Sequence, residues 1–284
     1  MTKTMCRFCG SKDFVRCGKR YNELRARQVY KCKNCSKRFT RNDGFLNMKY
    51  DPEIITLAID LWVKGLSLRQ IKDHILNFHG IKVGHVTVLG WVRKYGEVID
   101  GFTDTLRPNL DGEWTADEMV HYFKRNHNWI WNLMHMQKKF LIASDMSASR
   151  EQRNANELFE KGLAKTNVPP RTIQTDGLQN YPQAIRQTFG RYGTKHVRHS
   201  MKSKVCMNPM ERLQGTCRDR IKTTRGFNSI DSGRKVWKAW VNYYNFIREH
   251  SAIEKTPAEA CGINLDLKGN KWRDLIEKSV NGGM

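Results

Sequence analysis

The sequence predicts a mixed α/β chain in three successive parts: a small metal-stapled β module, a set of short helices, and a larger α/β/α layered domain. Three observations predict it. Four cysteines stand as two CxxC pairs close to the N-terminus. Between residues 51 and 96 apolar residues recur at helical spacing. From Trp114 the texture changes to strand-like runs, followed by helices and strands in alternation. At 284 residues there is length for two or three domains with a real hydrophobic core.

The cysteine module comes first. Cys6 and Cys9 form one pair, Cys32 and Cys35 the other, and residues 10–31 separate them. Each pair offers two thiolates from a tight knuckle, and two knuckles complete a tetrahedral Zn²⁺ site. A basic context with no signal peptide favours a reducing compartment over disulfides. Residues 1–45 therefore read as a zinc ribbon, too small to fold on its own core and stabilised by the metal. Cys17, Cys206, Cys217 and Cys261 fall outside the pairs and read as ordinary core or bystander cysteines.

Residues 50–97 read as three helices. Asp51-Pro52 opens the first, with Ile54, Ile55, Ala58, Leu61 and Trp62 on its apolar face and Gly65 at its end. Ser67 caps the second, which turns Leu68, Ile71, Ile75 and Phe78 inward. The third, HVTVLGWVRKYG, keeps Val86, Leu89 and Val92 inward and leaves Thr87, Trp91, Arg93 and Lys94 largely free. Three short helices ending in a polar-to-basic one suit a helix-turn-helix, and those four side chains are its candidate DNA contacts. A plain three-helix bundle shows the same pattern; the neighbouring ribbon and the charge favour DNA binding. Residues 98–112, with Pro108 among them, read as a linker.

The stretches WTADEMVHYF, NHNWIWNLMHM and KKFLIASDMS read as three strands, the first turn lying around Lys124 to Asn126. A polar-faced helix over 150–165, strand RTIQT, helix LQNYPQAIRQTF and a short strand at Lys195 to His199 follow. The next helix opens at Asn208-Pro209, where Asn208 suits the cap and Pro209 the first position. A long last helix, Ser232 to Glu249, places Trp237, Trp240, Tyr244 and Ile247 at core spacing. Three strands, helix, strand, helix, strand, helix is the order of a ribonuclease-H-like domain, here over 113–265. Residues 266–284 read as a tail.

Charge narrows the partner. The formal net charge is +22, the sequence pI is near 9.8, and such a balance points to a polyanion. Residues 1–50 carry fourteen Lys/Arg against three Asp/Glu, and residues 186–225 carry eleven against two. A membrane is disfavoured, because the most apolar run, Ile54 to Val63, is short and broken by Asp60. Nucleic acid is the better match, with a cytoplasmic, nucleoid-associated location expected.

Two acids stand in settings that suit metal chemistry. Asp176 closes the short apolar strand around Ile173 and is followed at once by Gly177, as an acid at the mouth of a strand is. Glu211 lies on the helix whose apolar residues are Met210, Leu213 and Cys217. Read singly, Asp176 is a turn acid and Glu211 a capping-box partner of Asn208. Together they require a third acid on the first strand, ahead of the hairpin. Asp111 and Glu113 precede that strand, Asp145 is too close in sequence to Asp176, and Glu118 should face away from Asp117 on extended backbone. Asp117 is the candidate.

With residues 177–210 between Asp176 and Glu211, the set Asp117, Asp176 and Glu211 resembles the DDE triad of insertion-sequence transposases and retroviral-type integrases. Arg218, two turns after Glu211, stands where that superfamily has Lys or Arg. Tyr244 to Ile263, YNFIREHSAIEKTPAEACGI, resembles the common transposase tail, and Gly65 to Gly96 is similar to the helix-turn-helix of small prokaryotic insertion-sequence transposases. The resemblance implies metal-dependent cleavage and strand transfer, with Mg²⁺ or Mn²⁺ at the triad. Asp117 would bridge two ions, Asp176 and Glu211 would each hold one, and Arg218 would contact DNA phosphate. Element ends and target DNA would be the partners, on a homodimer or higher homo-oligomer. A DNA-binding regulator that kept the fold and lost catalysis is the alternative; a metal nuclease without strand transfer shares the site.

Overall fold

The computed structural model describes residues 4–22, 25–123, 126–166, 168–199, 208–224, 227 and 229–282. Cys206 and the turn residues Lys124 and Arg125 lie outside the described residues, as does the side chain of Asn208.

The N-terminal module is a three-stranded antiparallel sheet in the order β1 (Phe14–Asn22), β2 (Arg25–Cys32), β3 (Arg38–Thr40). Its core is small: Cys6, Cys32 and Phe39 are buried, with Phe14 and Tyr30 against them. Phe14 meets Tyr30 and Phe39 edge-on at 5.1 and 5.6 Å. Three rings bury too little surface to hold a sheet in water, so this module depends on its cysteine cluster.

Three helices follow: α1 (Pro52–Val63), α2 (Leu68–His79) and α3 (His85–Thr103). Asp51 accepts from the Glu53 amide at the head of α1. Ser67 and Gln70 form a capping box on α2, and Gly80 closes that helix at φ 65°, a left-handed cap that glycine adopts without steric cost. Two expected inward positions are corrected. Phe78 is 74% and Val86 67% exposed, while α2 buries Ile71 and Ile75 alone. Helix α3 is also longer than expected: it runs past Val98 into the expected linker and ends at Thr103. Its stripe Val88, Trp91, Val92, Tyr95 and Ile99 is set by the core it lies along.

The α/β part comprises β4 (Glu113–Phe123), β5 (Asn126–His135), β6 (Leu141–Ser147), α4 (Gln152–Ala164), β7 (Thr172–Thr175), α5 (Asn180–Phe189), β8 (Lys195–Arg198) and α6 (Asn208–Lys222), then α7 (Ile230–Asn242). The sheet order is β6-β5-β4-β7-β8. β4, β5 and β6 pair antiparallel, whereas β7 and β8 run parallel to β4. Helices α4 and α5 cover one face, where Trp131 meets Tyr181 edge-on. Helices α6 and α7 cover the other, where Trp237 donates to Ser144 and Ser144 to Asn132. This is the ribonuclease-H-like mixed α/β fold that the element order predicts. The last long helix is interrupted: after Asn242 a π-helical turn, Tyr243–Ile247, ends it before Glu249.

Beyond α8 (Pro257–Ala260) the expected tail contains a helix, α9 (Lys271–Asn281), which buries Trp272, Leu275 and Ile276. It packs on α1 and α3, and the Trp272 indole donates to Asp60 at 3.1 Å. One contiguous core therefore joins α1–α3 and α9 to the α/β layers, while the ribbon keeps its own. Helices α3 and α7 cross closely. A Cβ on Gly96 would lie 3.0 Å from the Ala239 amide nitrogen, so only glycine seats without movement. Gly96→Leu is expected to cost about 2–3 kcal/mol by overpacking this crossing, seen as a lower midpoint in urea unfolding. Among the described residues no helix is long and apolar enough to cross a membrane.

Candidate active site

The parallel pair β4 and β7 sets the site. Ala116 is in register with Thr175, so the next residues, Asp117 and Asp176, emerge side by side in the middle of the sheet. Strand β7 stops at Thr175, and the Asp176 carboxylate turns back to accept from the Leu178 amide at 3.0 Å, which fixes the loop before α5. Asp117, Glu118 and Asp176 each bring a carboxylate oxygen within 4.8 Å of the others.

Alternation along β4 gives the two neighbours different partners, but the expectation that Glu118 faces away from Asp117 is corrected: its carboxylate stays within 4.8 Å of those of Asp117 and Asp176. Glu118 is buried on the α5 side, accepting from the Tyr181 hydroxyl at 2.6 Å and paired with Arg150. Asp117 faces α6 and accepts from the Gln214 amide at 2.6 Å. Gln214 accepts in turn from Arg218 at 3.0 Å. Glu211 stands one turn before Gln214 on the exposed first turn of α6, outside the three-acid cluster. Residues three apart share a helix face, so α6 presents Glu211, Gln214 and Arg218 along one line over Asp117. Gln214 was not singled out in the sequence, although that same spacing marks it as the polar residue between the two.

The electrostatics are those of a site with surplus negative charge. Burial, then the neighbouring Glu118 and Asp176 carboxylates, push Asp117 up to about 7. Glu118 is raised too, chiefly by burial, against the pull of Tyr181 and Arg150. An acid whose pKa is higher folded than unfolded takes up protons on folding, so its contribution to stability declines as pH rises from about 4 to about 7. Asp117→Asn is expected to flatten that decline and stabilise the metal-free protein by about 2 kcal/mol at pH 7.5, measured by denaturant unfolding across pH. Clustered hard oxygen donors with excess charge fit a divalent Mg²⁺ or Mn²⁺.

The competing acids are accounted for. Asp145 is held by Lys161 and by Arg234, the latter at 2.7 Å. Glu113 accepts from Gln137, and Asp111 lies 3.5 Å from Lys138. His196 and His199 both hydrogen-bond β7 side chains, Thr175 and Gln174, as structural histidines do. Arg198, which donates to the Gly177 carbonyl, adds a cation beside Asp176 that the sequence did not single out.

The cysteines form a second centre. Cys6, Cys9, Cys32 and Cys35 bring their sulfurs within 4.8 Å of one another, with Cys6–Cys35 at 3.6 Å and Cys9–Cys32 at 3.5 Å. Sulfurs on a tetrahedron with metal bonds of about 2.3 Å lie about 3.8 Å apart, so the set fits Zn²⁺. Gly10 and Ser36, each following the second cysteine of its pair, share a left-handed conformation that closes the two knuckles alike.

Of the four candidate contacts on α3, Thr87 and Lys94 are exposed. Trp91 is corrected: it is 3% exposed and packs edge-on to Tyr50 at 5.1 Å, because α3 turns that side to the core. Arg93 is half-buried and donates to Ser232 on α7 at 2.6 Å.

The family model for a DDE domain matches residues 111–250. Among solved structures the chain is similar to the HTLV-2 integrase catalytic core domain in complex with magnesium, in its trimeric form, at 16% identity and TM-score 0.43, over 55% of this chain and 98% of that one. It is similar to the catalytic core domain of BIV integrase at 13% identity and TM-score 0.41, over 52% of this chain and 92% of that one. Similarity to the simian T-cell lymphotropic virus intasome is 14% in identity, at TM-score 0.44, over 58% of each chain. No curated protein matches the chain.

Proposed function

We propose that this chain, whose residues 111–250 belong to the DDE domain family of transposases, binds the ends of an insertion sequence and catalyses phosphodiester cleavage and strand transfer. The observation that carries this is the emergence of Asp117 and Asp176 from adjacent parallel strands beneath a helix anchored to Asp117 through Gln214. Asp117, Asp176 and Glu211 would hold Mg²⁺ or Mn²⁺. When bound, a pair of such ions activates the attacking oxygen and steadies the leaving one. The chain's own residues do the rest. Gln214 fixes the Asp117 carboxylate, Arg218 fixes Gln214, and the outward side of the Arg218 guanidinium meets DNA phosphate. Glu118, committed to Arg150 and Tyr181, braces β4 against α5.

The ribbon over 1–45, stapled by Zn²⁺, and the helices over 50–97 grip the DNA, with Thr87 and Lys94 as exposed contacts on α3. The catalytic domain spans 113–265. Two ends must meet in one complex, so a homodimer or higher homo-oligomer acts on DNA. One observation favours a second reading, a DNA-binding derivative without catalysis: Glu211 stands apart from the acid cluster. The test is to incubate the protein with duplexes carrying the element's ends and a supercoiled target, in Mg²⁺, in Mn²⁺ and without divalent metal. Metal-dependent end cleavage with joined products supports the transposase. Cleavage without joining supports a nuclease, and binding without cleavage in either metal supports the regulator.

A further inference from the structure

Between the helical part and the far end of α6 lies a cleft of about 500 Å³, bordered by Arg69, His85, Arg93 and Arg220 and, among the described residues, by no carboxylate. Arg220 is only 3% exposed. Its guanidinium lies 3.7 Å over the Trp62 ring and donates one N–H to Thr223, yet its buried Nε has no partner. The Nε of Arg93 is likewise buried and unpartnered, although Arg93 reaches Ser232. Neither arginine, nor the exposed Arg69, is in an ion pair among the described residues. A guanidinium buried with no carboxylate is costly, and here burial pulls Arg220 down to about 9. The cleft also meets the N-terminal ends of two helices, α2 at Ser67–Arg69 and α3 at His85, whose dipoles favour an anion. Two arginines with an unsatisfied donor and no ion pair, and two helix N-terminal ends, thus border one space.

We propose that this cleft seats one phosphate of a DNA backbone among Arg69, Arg93 and Arg220. The inference rests on the DNA-binding part of the reading above and not on the acid site. A phosphate there would tie α2 and α3 to the C-terminal end of α6, whose N-terminal end carries Glu211 and Gln214. Docking of DNA on the helices would then steady the helix that completes the active site.

Charge-conserving substitutions separate this from general attraction to a basic protein, because lysine keeps the charge and loses the Nε–H and the planar fork. Duplex affinity of the full chain is measured by fluorescence anisotropy at about 150 mM salt with no divalent metal added, so a failure of catalysis leaves the result untouched. Thermal stabilisation by inorganic phosphate, relative to chloride at equal ionic strength, is measured alongside. Arg93→Lys and Arg220→Lys are expected to weaken DNA binding about 5- to 20-fold and to lose the phosphate-specific stabilisation. Arg69→Ala is expected to lower the salt slope by about one, and the exposed Arg153→Lys on α4 to change neither property. If Arg220→Lys unfolds, the half-buried Arg93→Lys decides. Wild-type DNA affinity in Arg93→Lys and an unchanged salt slope in Arg69→Ala overturn the proposal. Loss of phosphate stabilisation with full DNA affinity also overturns it, by assigning the cleft to free phosphate.

Discussion

Asp176→Asn is expected to lower the rate of end cleavage by about 10³-fold or more while leaving DNA affinity within about twofold. The fold should not notice the change. Among the described residues this carboxylate accepts one hydrogen bond, from the Leu178 amide, and an asparagine oxygen accepts it equally well. Asp176 lies at the open end of β7, half-buried and outside every ion pair among the described residues. Its charge therefore serves the site and not the core. Asp117→Asn should match the loss of activity but combine it with a gain in stability, because it removes the most strongly perturbed carboxylate of the cluster. Single-turnover cleavage and denaturant unfolding on the same two variants separate these effects. An Asp176→Asn protein that cleaves at the wild-type rate would remove Asp176 from the chemistry.

The second large effect belongs to the ribbon. Cys32→Ser is expected to release the zinc, melt β1–β3 and weaken DNA binding at least about tenfold, while the remaining fold stays intact. Structural zinc contributes on the order of 10 kcal/mol to modules of this kind, far more than Phe14, Tyr30 and Phe39 gain by packing. The rest is spared because its core is continuous without the ribbon. Metal content by atomic absorption, with circular dichroism of the variant, checks both halves. Full zinc content in Cys32→Ser would contradict the four-cysteine site.

What the sequence revealed follows physical range. The two CxxC pairs, the strand-like runs and the helix after Asn208-Pro209 are local patterns, and each forms where its pattern lies. Asp117 and Asp176 were legible as an acid inside the first strand and an acid closing a later one; their side-by-side placing comes from the parallel pairing of β4 with β7, which sets Ala116 opposite Thr175. The burial of Trp91 was not legible. It depends on Tyr50, a residue ahead of α1 that packs edge-on to the Trp91 ring and takes that side of α3 into the core. Val86 and Phe78 misled for the same reason: an amphipathic pattern shows that a face exists, while a distant partner decides which residues it takes. Helix α9 did leave a signal, since Trp272, Leu275 and Ile276 recur at helical spacing behind a capping Asn270. Its polar surroundings hid it. Gln214 was passed over because a neutral amide between two charged residues carries no chemistry until its partner, Asp117, is in place.

Supply of the third acid by α6 is the proposal on which the catalytic site stands. It is tested most directly by single-turnover end cleavage with Glu211→Gln and Glu118→Gln, run beside the wild type. Glu211 is exposed on the α6 face that carries Gln214, whereas Glu118 is buried and committed to Arg150 and Tyr181. The expected result is a loss of about 10³-fold or more in Glu211→Gln and of no more than about tenfold in Glu118→Gln. A near-wild-type Glu211→Gln beside a silent, folded Glu118→Gln would place the third acid on β4 and contradict the DDE assignment of this site.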